Sequence, residues 1–465
     1  MFRKFLAWIL GVLQKMAYQN DIKRVFGTDV AISQPMLDAI SLWGDMFLDK
    51  APWLNGTTQS CGLPAAVASE FARLTMVELE ANVTGGARGD FLNLQLADVL
   101  NRLRESLEVA CGTGNMALKP YVTADGTIVV DCVPAWRFFP TAYNSQREVT
   151  GAIFPERIIK GKVYYTRMEW HNLTKDGYVV RNLAFRSDQE DGLGQACSLT
   201  DVAEWAELAP EATFRYSDGS APERPLFAVF RVPLANTVDP ESAAGVSVYS
   251  RAVNLIREAD RQYSRILWEY EGSELAVHAS EFALRPTQHG GRMPERRKRL
   301  FVGLDIDNDG KDFYSVFSPE IRDTALFNGF NQLLRRIEFN CNLAYGTLSD
   351  PQNVDKTAEE IRSSKQRSYT AVCEIQKSLD AALQHLVWIM DYYATLHRLA
   401  PNGKYELSLT WGDGVLEDVD AEFIRRKQLA DSGYLKPEAL LAWYLRISEE
   451  EARKMMPDDT GLQLE

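Results

Sequence analysis

The sequence predicts an α+β protein, and three observations lead there. Helical periodicity runs from the start of the chain to about Ala110. From Met116 to Pro233 the residues turn β-branched and aromatic. Hairpin signals stand at Asp125-Gly126 and Asp176-Gly177, and there is no strand–helix alternation of the kind a parallel sheet needs. Beyond Ser247 long helices return, one of them from Thr357 to Arg398 without a Gly or Pro to stop it.

Taken in order, "MFRKFLAWILGVLQKM" has basic residues followed by an apolar run from Phe5 to Leu13. No small-x-small cleavage pattern follows, and about nine apolar residues are too few to span a bilayer, so an amphipathic packing helix is expected. Ser33 is placed to cap a helix with Met36, Ile40 and Trp43 on one face. "LPAAVASEFARLTMVELEANV" and "LNLQLADVLNRLRESLEVACG" read as two further amphipathic helices, the second ended by Gly112 and Gly114. "RPLFAVFRVP" adds a strand to the two hairpins. Ser247 to Gly272 forms a helix with Val248, Ala252, Ile256, Ala259, Tyr263, Ile266 and Tyr270 along one stripe. A second helix starts with Ser318 as cap and Pro319 in its first turn, and reaches Gly346. Each is about 26 residues, or roughly 39 Å. Together they bracket an insert from Ser273 to Phe317, as an antiparallel hairpin with a small module at its tip would. Thr357 and Glu360 form a capping box for the long helix, which spans about 60 Å if unbroken. "KYELSLTW" is one more strand, and short helices punctuated by Gly433 and Pro437 close the chain.

The chain has 465 residues and a net charge of −13, which argues against a surface that binds nucleic acid or anionic membrane as a whole. Six scattered cysteines form no CxxC or Cys/His ligand spacing and read as reduced core residues. No metal, cofactor or catalytic residue is expected. Asp305, Asp307, Asp309 and Gly310 open like a calcium loop, but the twelfth position is Val316 where a bidentate Glu is needed. An Asp/Gly hairpin tip is the better account. Gly112, Gly114 and Ala117 spell G-x-G-x-x-A, yet the pattern leaves a helix and enters a strand, the reverse of a dinucleotide site. There is no GxxxxGK[ST], GxSxG or HExxH. One basic cluster stands out in the insert: Arg292, Arg296, Arg297, Lys298 and Arg299. It is either an exposed loop beside a strand or a patch for phosphate backbones or an acidic protein.

The order of these elements is similar to that of the portal proteins of long-tailed, siphovirus-type bacteriophages, the phage portal or minor capsid protein family. "GVSVYSRAVNLIREAD" and "LAYGTLSDPQNVDKTAEEIRSSKQRSYTAV" carry most of the resemblance, "ALKPYV" and "RFFPT" add to it, and it covers essentially the whole chain. It implies a portal fold: an α/β wing over 1–246 (helical 1–114, β-rich 115–235), stem helices 247–272 and 318–345 around a clip at 273–317, a tunnel loop at 346–356, a tunnel-side helix at 357–398, a wing strand return at 399–420 and a crown at 421–465. It also implies a ring, commonly of twelve copies, at one capsid vertex, through which DNA is packaged and ejected. The implied partners are further copies of the chain, the major capsid protein, the terminase large subunit, a head–tail adaptor and passing double-stranded DNA. The implied location is the virion, after assembly in the host cytoplasm. Thr347, Leu348, Ser349, Asp350, Gln352 and Asn353 would face the channel. Lys356, Glu359, Glu360, Arg362 and Lys365 would pair between neighbouring subunits, and the basic cluster would meet terminase, adaptor or DNA.

Ring arithmetic agrees with the resemblance. Twelve helices about 10 Å apart have their axes roughly 19 Å from the centre, leaving a channel about 28 Å wide; eight would leave about 15 Å, too narrow for a duplex. Net acidity also suits a conduit, since every phosphate neutralised by Lys or Arg adds affinity and friction. Two alternatives stay open. One is a metal-dependent enzyme using Asp305, Asp307 and Asp309 with His278 or His289; the other is a different ring-forming protein of the phage neck.

Overall fold

The computed structural model describes residues 21–190, 192–273, 276–280, 301–304, 314–317, 320–350, 358–412, 419–445 and 449–456. The expected N-terminal helix over residues 1–16 lies outside them; a short helix, α1, covers 21–26. Helix α2 (Gln34–Phe47) buries Met36, Ile40 and Trp43 to 3% exposure or less, as the periodicity requires. Ser33 occupies the N-cap in extended backbone, but its hydroxyl donates to Asp239 Oδ2 at 2.5 Å instead of capping the helix.

The third expected helix is shorter than its apolar periodicity suggests. Helix α3 (Leu63–Met76) stops, and Leu79–Thr84 becomes strand β1, antiparallel to β14 (Glu406–Trp411) from Leu79↔Trp411 to Thr84↔Glu406. "LEANVT" satisfies a two-residue alternation as well as a helical one, and its partner strand lies far away in sequence. Helix α4 (Gly86–Thr113) ends at Gly114, which has φ +93°. A Cβ there would stand 2.5 Å from the Gly245 carbonyl oxygen, so both the left-handed turn and the close approach require glycine.

The β-rich region is antiparallel, as expected. β2 (Asn115–Val122) is central in a three-stranded sheet with β3 (Ile128–Pro134) and β10 (Ala228–Arg231). A six-stranded sheet follows the order β4 (Phe139–Tyr143), β5 (Val149–Lys160), β6 (Val163–Thr174), β7 (Gly177–Ser187), β8 (Gln195–Cys197), with β9 (Glu211–Phe214) also on β7. A buried charge network ties the two sheets together. Glu169 on β6 meets Lys119 of β2 at 2.6 Å, Arg167 at 3.1 Å and His171 Nε2 at 2.7 Å, and His171 Nδ1 is 2.6 Å from the Tyr178 hydroxyl. Burial alone would raise the Glu169 pKa; Lys119, His171 and Arg167 outweigh it and hold it well below the usual range.

Helix α7 (Ala358–Leu396, 39 residues, about 58 Å) is the spine, and its expected unbroken run is present. Leu379, Leu383, Leu386, Val387, Ile389 and Met390 are fully buried in the main core, where α7 packs on α3, α4, β2 and β10. Near its end the buried Arg88 of α4 meets Asp391 at 3.1 Å and donates to Thr395 and Asn402. The two matched helices are α5 (Val253–Gly272, 20 residues) and α6 (Asp323–Asn340, 18 residues), shorter than the expected 26. Residues before α5 belong to the core instead: Val248 N donates to Cys111 O at 3.0 Å and the Tyr249 hydroxyl to Trp43 O at 2.8 Å. Between the two helices, β11 (Ala276–Ser280) pairs parallel with β12 (Phe301–Leu304) and antiparallel with β13 (Tyr314–Phe317). Helices α8 (Val419–Asp431), α9 (Pro437–Leu445) and α10 (Glu449–Met455) follow. Gly433 at φ +76° and Pro437 at the start of α9 punctuate them as expected. All six cysteines are free.

His385 on α7 donates Nε2–H to Pro225 O at 3.0 Å, and burial, with Arg224 nearby, lowers its pKa to about 4. The unfolded chain therefore takes up this proton first. The contribution is complete above about pH 6.5 and is lost as pH falls towards 4, worth at most about 3 kcal/mol. Denaturant midpoints measured from pH 7 to 4.5 should decline, and His385→Gln, which keeps the donor, should decline less steeply. An unchanged slope contradicts this assignment.

Candidate functional site

Helices α5 and α6 run antiparallel, with Tyr263 on Phe330 (6.3 Å between centroids) and Tyr270 on Phe327 (6.5 Å). Near the tip Arg322 forks onto Glu269 at 3.0 and 2.7 Å and lowers the Glu269 pKa. Arg322 is well exposed, so this pair adds little stability.

The base of the hairpin is held differently, by two buried carboxylates whose observed partners are neutral donors. Asp260 of α5 is 2% exposed. Its Oδ2 accepts from Trp53 Nε1 at 2.8 Å, and its Oδ1 from Cys61 N at 2.9 Å and Cys61 Sγ at 3.1 Å. Burial and then Asp260 push the Cys61 thiol pKa upward, so the thiol remains a donor. Glu338 of α6 is fully buried. Its Oε1 accepts from the amides of Leu348 (2.7 Å), Ser349 (2.8 Å) and Gly346 (3.1 Å), and its Oε2 from the Ser349 hydroxyl (2.9 Å). Asn331, two turns earlier, accepts from Asp350 N at 2.8 Å. Charge-assisted bonds of this kind are about twice as strong as neutral ones. Arg367 of α7 closes the module from above, its guanidinium 4.7 Å from the Phe339 ring and 5.3 Å from that of Tyr345.

The expected channel-facing segment is thereby divided. Thr347 and Asp350 are exposed, Ser349 is buried on Glu338, and Leu348 is partly buried against the core. A wholly floppy loop starting at Gly346 is not what the residues form, because Glu338 draws the amides of its first turn inward. Gln352, Asn353 and Lys356 lie outside the described residues. Glu359, Glu360, Arg362 and Lys365 are on the first turns of α7, where Lys365 is exposed. The basic residues Arg292, Arg296, Arg297, Lys298 and Arg299 lie outside the described residues, as do Asp305, Asp307, Asp309 and His289; His278 is on β11. Among the described residues no group of His, Cys, Asp and Glu could hold a metal ion.

Sequence reasoning missed Asp260, Glu338, Asn331 and Arg367. A signal existed for the two carboxylates. Asp260 adjoins Ala259 and lies four residues after Ile256, and Glu338 lies four after Leu334, so each places a charge on a buried stripe. The hairpin also exposes large apolar side chains: Trp268 at 67%, Phe339 at 54%, Phe327 at 48% and Tyr270 at 42%.

The profile of the family described as "Phage portal protein, SPP1 Gp6-like" matches residues 94–460, most of the chain. The chain belongs to this phage portal protein family. Among solved structures, a chain of the "Neck of native GTA particle computed with C12 symmetry" is similar at 13% identity, covering 88% of this chain and 94% of that one with a TM-score of 0.41. No curated protein matches.

In this portal-family chain the carboxylate clamp makes a direct prediction. Glu338→Ala leaves three amides without their acceptor and should cost about 3 kcal/mol or more. Amide exchange at 346–349 should accelerate, while Glu338→Gln, which keeps one acceptor, should lose less. Asp260→Ala should destabilise on the same scale and expose the Cys61 thiol to alkylation. Unchanged exchange at 346–349 in Glu338→Ala rejects the clamp.

Proposed function

We propose that this portal-family chain is the subunit of a closed ring, commonly of twelve copies, at one capsid vertex, whose axial channel passes double-stranded DNA during packaging and ejection. Family membership supports the portal role. The observation that carries the ring is the α5/α6 hairpin: two rods of 20 and 18 residues whose exposed Trp268, Tyr270, Phe327 and Phe339 offer apolar side chains for neighbouring copies to cover. One such rod from each copy lining the axis, with its partner behind it, closes a channel about 28 Å wide when twelve copies assemble.

In this scheme residues 1–246 with 399–420 form the wing, α5 and α6 the stem, 273–317 the clip, 346–356 the tunnel loop, α7 the tunnel-side helix and 421–465 the crown. Thr347 and Asp350 are the exposed residues of the described part of the tunnel loop and face the channel, and Ser349 acts as the loop's anchor. Lys365 and its neighbours on α7 pair between copies. The clip and its basic cluster meet the terminase large subunit or the head–tail adaptor, and the wing meets the major capsid protein. The ring performs no chemistry of its own, and energy for translocation comes from the terminase. Its place is the virion, after assembly in the host cytoplasm.

Native mass measurement of the purified 52.5-kDa chain should give a particle of about 0.6 MDa, and class-averaged electron micrographs an axial hole. Trp268→Glu together with Phe339→Glu should shift the population towards small species without unfolding the wing. A monodisperse monomer of the parent chain, or a closed assembly with no hole, overturns the proposal.

A further inference from the structure

The charges on the far side of α5 play no part in the clamp at its foot. Tyr263 and Tyr270 mark the side of α5 that meets α6, where they pack on Phe330 and Phe327. At about 100° per residue Arg261 lies roughly 160° round the helix from Tyr263. Arg257 and Arg265 continue the same ridge below and above it, at four-residue steps of about 6 Å. The three guanidiniums therefore stand in one row facing away from α6. Arg261 and Arg265 are exposed, and Arg257 is half-buried. Like charges four residues apart on a helix repel. One carboxylate offsets them: Glu258, at 2.7 Å from Arg261 and 3.7 Å from Arg257. Arg265 has no acidic partner among the described residues. In a chain of net charge −13, this row is a local excess of the opposite sign, held against its own repulsion.

The two buried carboxylates decide which way the row points. Glu338 ties α6, not α5, to the segment 346–349. In the ring, Thr347 and Asp350 of that stretch face the channel, so α6 is the rod nearest the axis. Asp260 ties α5 to residues 53–61 of the body instead, and α5 stands behind α6. The side of α5 opposite α6 then looks outward, away from passing DNA. Whatever neutralises the row approaches from outside the ring.

We propose that Arg257, Arg261 and Arg265 form an outward docking row for an acidic protein surface that encloses the ring; the assignment rests on the ring reading above. Arginine suits the task, because its planar fork takes a carboxylate through two parallel hydrogen bonds and keeps its charge at any working pH. The spacing defines the counterpart. Carboxylates about 6 Å apart, as Glu provides at every fourth position of a helix, match the row one for one.

Two measurements on the assembled full-length chain test it. In Arg265→Cys, position 265 should react with a polyethylene-glycol maleimide too bulky to enter a channel about 28 Å wide, read by peptide mapping. Reaction with a small maleimide alone would put the row in the channel, and reaction with neither would put it between copies; either overturns the proposal. The second probe is a fluorescent alanine-based helical peptide with Glu at every fourth position. It should bind the ring in a salt-sensitive way, and the same peptide with Gln for Glu should not. Arg261→Gln/Arg265→Gln should weaken binding several-fold while native mass shows the same particle. Equal binding by parent and variant, no binding by either, or tighter binding of a short DNA duplex to the same row overturns the assignment. A parent chain that forms no ring fails the ring reading and this assignment with it, whereas an intact ring with an unreactive position 265 fails this assignment alone.

Discussion

Two carboxylates taken out of water at the foot of one helical hairpin set the constraints on the rest of this chain. An isolated buried charge is costly, and Asp260 and Glu338 are each surrounded by donated N–H, O–H or S–H bonds. Those donors come from segments with no regular structure of their own, residues 53–61 on one side and 346–349 on the other. Each carboxylate therefore organises a loop as well as a helix. The hairpin joins the body through directional bonds that fail together if displaced, which suits a projecting rod better than a greasy contact that can slide.

Helix α7 distributes that rigidity. Its C-terminal half is buried in the main core, and its N-terminal half carries Arg367 over Phe339 and Tyr345. A displacement at the foot of α6 is thus passed to the helix against which α3, α4, β2 and β10 pack. One continuous element through both the hairpin base and the core keeps the two from moving apart. The Glu169 network does comparable work between the two sheets, where Lys119 and Arg167 offset the burial of the carboxylate.

Much of the architecture was legible along the chain because it depends on local periodicity. The apolar stripe of α2, the turns at Asp125-Gly126 and Asp176-Gly177, the two matched helices and the unbroken α7 each follow from spacing that the backbone geometry enforces. Errors came where local preference was outvoted. Residues 79–84 fit a helix nearly as well as a strand, and only the distant β14 selects the strand. The ends were overrun because Val248 and Tyr249, before α5, have partners elsewhere in the molecule, and the chain after α6 turns through Asn342 at φ +60° back onto Glu338.

The sequence by itself determined the class of fold, the order of elements and the family, since these reside in periodicity and turn chemistry within a few dozen residues. Only the tertiary structure decided that the segment after Gly346 begins as an anchored turn, with Ser349 buried and Thr347 and Asp350 left outside. A carboxylate inside a helical stripe is readable as an anomaly. Which amides satisfy it is not, because the donors approach through space and obey no sequence period.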